Sequence, residues 1–397
     1  RDFTEELLVM PGVARSVSSH YTERGWTVDN LWHIFTDFYG GQYAPLAFLS
    51  YLVLYAGFGY DPFYFHMFSL LLHIGCVCLV WKLISSLLRV HGGVSEKQIL
   101  YVNFITTLLF AVHPINVEAV AWISALKVLL YAFFYLLGLL CYLRYIRTSK
   151  IFYYVLTIGC FLCSFWGKEQ AVTFPLALLI VDWFTNRNMK NLEVWSEKMS
   201  FLIMAFFFGI ITVLSQGKGP YEMIFPLYQR LLFGCFALVE YITKSLLPVN
   251  LNFFYPFPIV LGEEPPLHYY LYPVVLLFLM GWIIAYRNNR YLVFGVLLFL
   301  VNLLFSIHLF NMSRHAIVAD RYMYLSYVGI AFLIANGIWW LRKRLSYFKA
   351  ALVFLFFYCF FLSVYTFHYT KKWENTTMVK KYTKEVLEKR LNGSNHL

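Results

Sequence analysis

The chain is 397 residues long, 60% hydrophobic, 21% aromatic and only 13% charged, against about 25% charged residues in an ordinary soluble domain. Its apolar runs, about 15–25 residues each, recur from end to end with the reach needed to cross a bilayer core of about 30 Å. A β-barrel would show short alternating segments, which are missing, so we read an all-α polytopic membrane protein. The net charge of +11 does not point to nucleic acid. The basic residues sit in short loops beside the apolar runs, where they orient the chain, and no basic stripe with interleaved aromatics stands apart.

Taken in chain order, residues 1–62 form an extracytoplasmic first loop holding Asp2, Glu5, Glu6, Asp29, Asp37 and Asp61. Its short apolar piece at 45–58 reads as a helix lying at the surface rather than a span. The first residue is Arg1 and no apolar run precedes Asp2, so we expect a preceding span to be missing from the chain or removed by processing. The bundle proper covers 63–368, with spans expected at 63–89, 99–112, 127–146, 151–166, 169–185, 199–216, 270–286, 291–308, 323–341 and 349–368, about ten in all. Lys and Arg residues concentrate near 89–97, 144–150, 187–198, 287–290 and 342–349, which makes those loops cytoplasmic. The segment 229–248 looks long enough to cross, yet a full crossing would turn the 287–290 loop outward, against the charge rule. Glu240 and Lys244 share one helix face there, and we read an interfacial or re-entrant helix on the outer side. Residues 369–397 form an extracytoplasmic, basic and partly helical tail. The seven cysteines all fall within apolar runs. Cys160-x-x-Cys163 has no partner pair, and packed free thiols are the expected state.

Polar clusters gather at the outer boundary. The first is HPINVE, with His113, Asn116 and Glu118, between two apolar runs. The second is Lys168–Glu169, between two further spans. The third is RHAIVADRYMYL, with Asp320, Arg321 and Tyr322; the fourth is the acidic N-terminal segment. Each alone has a bland reading: a helix end, snorkelling side chains, a structural ion pair. Together on one side they suggest one polar cavity, since ionisable groups at membrane depth are costly and line pathways or sites.

HPINVEAVAWIS resembles a motif of the membrane proteins that carry tetratricopeptide repeats, a family that includes protein O-mannosyltransferases of the secretory pathway, and of their bacterial relatives. NLWHIFTDFYGGQYAPLAFLSYLV, FHMFSLLLH, GKEQAVTFPLALLIVDW, LLPVNLNFFYPFP and ADRYMYLSYVG look like further blocks of that family, in order. The resemblance implies a C-type glycosyltransferase-like helical bundle, an active site in the first extracytoplasmic loop and a polyprenyl-phosphate-linked sugar as donor. It places the membrane in the bacterial inner membrane or the endoplasmic reticulum, with the active face periplasmic or lumenal. A carboxylate is needed to activate or orient the acceptor hydroxyl; Asp2 and Glu118 are the catalytic candidates. Cations are needed for the lipid phosphate that leaves. Lys168 matches the family position that meets it, and Arg321 adds a bidentate donor. His113, Lys127, Glu169, Asp320 and Tyr322 complete the substrate-binding set, with Glu118 also able to orient His113 or Arg321. No metal ligands are assigned, and a divalent metal is left open. The chain departs from the family where Asn116 replaces a histidine, Leu126 an arginine and Val128 an aspartate, and the repeats are absent. The function read here is sugar transfer to a protein or glycan hydroxyl on the outer side of the membrane. The rivals are a non-catalytic subunit or scaffold of a membrane protein complex and, behind it, a transporter, for which no internal repeat is found.

Overall fold

The structure, a computed structural model, describes residues 20–38, 42–216, 225–308, 316–375 and 377–385. It is predominantly helical in these segments, and β structure among them is limited to isolated bridges such as Tyr255 with Val318. Asp2, Glu5 and Glu6, and the Arg314 and His315 of the third cluster, lie outside the described residues.

Three helices precede the bundle: α1 (His20–Glu23), α2 (Val28–Thr36) and α3 (Pro45–Phe58). Thr27 caps α2 by accepting from Asn30 N–H, and Pro45 opens α3, where its missing N–H costs nothing. The expected surface piece at 45–58 is this helix, and it docks on the bundle: Tyr51 donates to Ile123 O at 2.8 Å.

Ten helices answer to the ten expected apolar runs. They are α4 (Pro62–His91), α5 (Glu96–Val112), α7 (Leu126–Thr148), α8 (Ile151–Gly167), α9 (Phe174–Phe184), α10 (Leu192–Gln216), α12 (Leu271–Ala285), α13 (Arg290–Leu303), α14 (Met323–Trp340) and α15 (Leu345–Thr370). The short α6 (Val117–Ala121) lies between α5 and α7, and α11 (Leu227–Leu246) between α10 and α12. Among the described residues six segments, containing α4, α7, α10, α12, α14 and α15, are long and apolar enough to cross a membrane. α5 joins them as a seventh only if it counts as one span with the helical turns Pro114–Ala121 beyond it, across a 51° bend. Pro114 accounts for the break, since it lacks the N–H to continue α5 and forces His113 into extended backbone (ψ 127°). α8, α9 and α13 are apolar but shorter, with 17, 11 and 14 residues.

Between lipid-facing helices the hydrophobic effect gives little, so close packing and internal hydrogen bonds hold the bundle. Small residues mark its tightest crossings. A Cβ on Gly167 would fall 2.7 Å from the Tyr131 backbone nitrogen, which lets α8 lie against α7; one on Gly329 would fall 2.5 Å from Gly295 O, where α14 meets α13. Buried aromatics fill the centre, among them Tyr135, Phe161, Phe165, Phe174, Phe184, Tyr324 and Tyr327.

α11 is not among the crossing-length helices. From Gly234 to Lys244 it touches segments from the end of the bundle that holds the HPINVE turn. Gly234 abuts Ile307, the Tyr241 hydroxyl accepts from Ala319 N–H (3.2 Å), and Lys244 reaches Tyr255. Glu240 and Lys244 pair across one turn at 3.5 Å, as their spacing implies.

At the opposite end the structure departs from the sequence reading. Lys198, counted there as a loop cation, is fully buried inside α10, which already begins at Leu192. It meets Asp182, also fully buried, and Glu197 at 3.0 Å; Arg187 grips Glu197 with two bonds, 2.6 and 2.9 Å, and the Tyr142 hydroxyl donates to Asp182 at 2.8 Å. Two cations and two carboxylates thus staple α7, α9 and α10. Asp182→Ala leaves Lys198 and Arg187 to share the single carboxylate of Glu197 and is expected to cost about 3–5 kcal/mol, read as a lower midpoint of thermal unfolding in detergent. A midpoint equal to the parent's would show the network to be dispensable.

Cys160 is buried and Cys163 partly so, both as free thiols. Among the described residues no group of His, Cys, Asp and Glu is arranged to hold a metal ion.

Candidate functional site

The site is built where three chain breaks meet at one end of the bundle. Each break carries a 3-10 segment: Pro114–Asn116 before α6, Glu169–Thr173 between α8 and α9, and Asp320–Tyr322 opening α14. Such breaks project side chains that a continuous helix would turn into lipid.

Glu118, on α6, is fully buried, and both of its oxygens are taken by one residue 203 positions away. Arg321 donates its guanidinium Nη1 to Oε1 at 2.5 Å and its backbone N–H to Oε2 at 2.7 Å. Charge-assisted bonds to both oxygens fix the carboxylate and aim the arginine. The guanidinium then lies over two rings, Trp122 at 5.3 Å and Tyr322 at 5.1 Å. Lys168, only 2% exposed, places its ammonium over the same Tyr322 ring at 4.7 Å. Lys127, at the start of α7, donates to Gln42 and lies within electrostatic reach of Glu169, Lys168, Arg321 and Tyr322. One tyrosine ring therefore carries two cations. A ring's negative face stabilises cations held close together out of water, and such a cluster suits a multiply charged oxyanion.

Asp320 is fully buried next to Arg321 but faces the other way. It accepts from the Tyr255 hydroxyl at 2.9 and 3.0 Å, and Lys244 donates to the same hydroxyl at 2.9 Å. Burial first, and then the Asp320 carboxylate, push the Tyr255 phenol far above its ordinary range, so it remains a proton donor. Behind Trp122, Phe253 stands edge-on at 5.1 Å, and Trp373 from the end of α15 packs against both, closing this wall of the site.

The structure thus brings together Lys168, Arg321 and Tyr322, with Glu118 holding Arg321; Lys127 is bonded to Gln42, and Glu169 opens the turn after Lys168. The structure seats His113 apart. That ring is 1% exposed, lies 4.2 Å from the Tyr327 ring, and uses Nδ1 to accept from Ile115 N–H at 3.2 Å. With Nδ1 an acceptor the proton sits on Nε2, which is buried with no hydrogen-bond partner among the described residues; His113 caps the HPINVE turn. The side chain of Asn116 donates to Phe110 O at 2.7 Å and ties the same turn to α5. Val128 is 1% exposed in the apolar core. Asp2 lies outside the described residues. Sequence reasoning assigned no task to Tyr255, Trp122 or Gln42. Tyr255 stood in the quoted LNFFYPFP block, and Trp122 in HPINVEAVAWIS; both motifs carried a signal without a partner.

These features define a helical membrane protein with a buried, aromatic-lined cation cluster at one end of its bundle. No family model and no solved structure matches the chain. Over part of its length it is similar to protein O-mannosyl-transferases. It is 32% identical over 189 residues to TMTC2 of Mus musculus, 33% over 189 residues to TMTC2 of Homo sapiens, and 28% over 172 residues to Tmtc3 of Drosophila melanogaster. The match with either TMTC2 covers 43% of this chain and 21% of the relative; that with Tmtc3 covers 38% and 18%. The chain thus spans about a fifth of the length of the curated relatives it matches. The resemblance read from the sequence blocks is borne out by these relatives.

Proposed function

We propose that the chain is a membrane glycosyltransferase that moves a sugar, mannose in the first instance, from a polyprenyl-phosphate carrier to a protein hydroxyl on the extracytoplasmic side. The observation that carries this reading is the pair of cations, Lys168 and Arg321, standing over Tyr322, in a chain similar to protein O-mannosyl-transferases. Sugar transfer from a lipid phosphate breaks the bond between C1 and the phosphate oxygen, and the leaving phosphate gains negative charge. Preorganised cations in a site screened from water stabilise that charge most when it develops. Glu118 has both oxygens engaged by Arg321, which suits it to holding the arginine rather than to taking a proton. In this reading the base falls to the acidic N-terminal segment, for which Asp2 is the candidate. The loop charges support an outward-facing site end.

The test is transfer of labelled mannose from polyprenyl-phosphate mannose to endogenous protein in membranes expressing the full chain, run with single-cysteine labelling. We expect transfer above that of empty membranes, labelling from outside at residue 375, and labelling at 288 only after permeabilisation. Outside labelling at 288 would reverse the orientation. Absence of transfer with polyprenyl-phosphate mannose and polyprenyl-phosphate glucose alike would turn the assignment toward a non-catalytic subunit.

A further inference from the structure

Tyr255 belongs to a block singled out in the sequence, yet the proposed reaction gives it nothing to do. It is 1% exposed. A phenol can donate one hydrogen bond and accept two, and here all three capacities are used. The hydroxyl donates to the Asp320 carboxylate (2.9 Å to Oδ1, 3.0 Å to Oδ2) and accepts from Asn252 N–H at 2.7 Å and from Lys244 Nζ at 2.9 Å. Its backbone is engaged as well: the Tyr255 carbonyl accepts from Ile317 N–H at 2.9 Å, across the bridge with Val318. One residue therefore grips the chain from 317 to 320 by main chain and side chain, directly before Arg321. The turn Asp320–Tyr322 that follows sets where the Arg321 amide meets Glu118 and where the Tyr322 ring meets Lys168.

A second line of contacts reaches the same hub from the far end of the sequence. In the helix over 377–385, Thr383 donates to Asn252 Oδ1 at 3.1 Å. The Asn252 amide in turn donates to Phe254 O at 3.1 Å, and its Oδ1 accepts from Phe253 N–H at 2.8 Å. The turn that presents Asn252 N–H to Tyr255 is thus buttressed by the segment that follows α15.

We infer that Tyr255 is a positioning residue: through Asp320 it sets the Asp320–Tyr322 turn so that Arg321 meets Glu118 and Tyr322 meets Lys168, and the helix over 377–385 acts on the site through Asn252 and this hub. The consequence for ligand rests on the proposed phosphate site, whereas the geometry stands without it.

Tyr255→Phe tests this, because it keeps the ring and the bridge and removes only the hydroxyl. The full chain is purified in detergent and followed by hydrogen exchange and by the shift in thermal midpoint on adding a polyprenyl phosphate. We expect the Arg321 amide to exchange at least about tenfold faster, since the groups around a buried hub lose their partner, while amides in the middle of α14 and around Asp182 keep parental rates. We expect the polyprenyl phosphate to stabilise the parent and Tyr255→Phe less. Tyr255→Phe with Arg321→Lys should lose no more of that shift than Arg321→Lys alone, as required if one acts through the other. Thr383→Val should speed Arg321 amide exchange by about threefold; it carries the test if Tyr255→Phe does not fold. Parental protection at Arg321 in both variants overturns the inference. So does faster exchange throughout with losses that add, which marks a general structural role. Faster exchange confined to the turn, in a parent that polyprenyl phosphate does not stabilise, upholds the positioning role and overturns the donor reading instead.

Discussion

Lys168→Ala is expected to lower sugar transfer by about 10²–10³-fold, the usual cost of deleting one preorganised stabiliser of developing negative charge, while the bundle still folds. The lysine sits at the end of α8, 2% exposed, with its ammonium 4.7 Å from the Tyr322 ring centroid. In water its charge would be worth little, but a phosphate leaving group desolvated beside lipid has few other partners. Alanine also removes the cost of burying an ammonium, so stability should change far less than rate. Lys168→Arg should restore only part, because a planar guanidinium on a longer reach cannot place its charge where a compact ammonium stood. The assay is initial transfer rate at saturating acceptor, normalised to folded protein in the membrane. Transfer that survives Lys168→Ala at the parental rate would remove the lysine from the mechanism.

The chain breaks were the legible part of the site. Pro114 after an apolar run, Lys168–Glu169 between two runs and Asp320–Arg321 ahead of another each announce a helix end with a charge on it, and each proves to be a 3-10 turn at the site. What each charge meets was not legible. Glu118 and Arg321 are 203 residues apart, and no local spacing relates them. His113 carried the same signal as the other polar groups but spends its Nδ1 on capping its own turn. Tyr255 drew no assignment because a tyrosine in an apolar stretch looks the same whether it fills space or anchors a carboxylate.

Burial was the other hidden quantity. In water, an amphipathic pattern shows which helix face is inside; in lipid both faces are apolar and the pattern fades. The most apolar stretches of the spans containing α7 and α15 are nearly equally hydropathic, yet 67% of one stretch and 17% of the other is buried in the bundle. For the same reason Lys198 was assigned to a loop. A basic residue near the end of an apolar run signals a loop when it stands alone, and the carboxylate that draws it inside, Asp182, lies on a different helix.

The Glu118–Arg321 pair should separate what holds the turn from what serves the reaction. Glu118→Ala leaves the guanidinium against Trp122 and Tyr322 without its carboxylate and deprives the Arg321 amide of its acceptor. Breaking a buried pair from one side typically costs about 3–5 kcal/mol, a large part of a stability of about 5–15 kcal/mol. Replacing both members, Glu118→Leu with Arg321→Met, removes the stranded charge along with the bond. Such exchanges run from neutral to stabilising by about 1–4 kcal/mol, so the double variant should unfold near the parent's midpoint or above it. Transfer should not return with stability, because the second cation over Tyr322 is gone. The measurements are thermal midpoint in detergent and transfer rate in membranes, on both variants and the parent. A double variant that is stable and transfers at the parental rate would leave Arg321 a purely structural residue. An unchanged midpoint in Glu118→Ala would mean that the turn is held by the Tyr255 side alone.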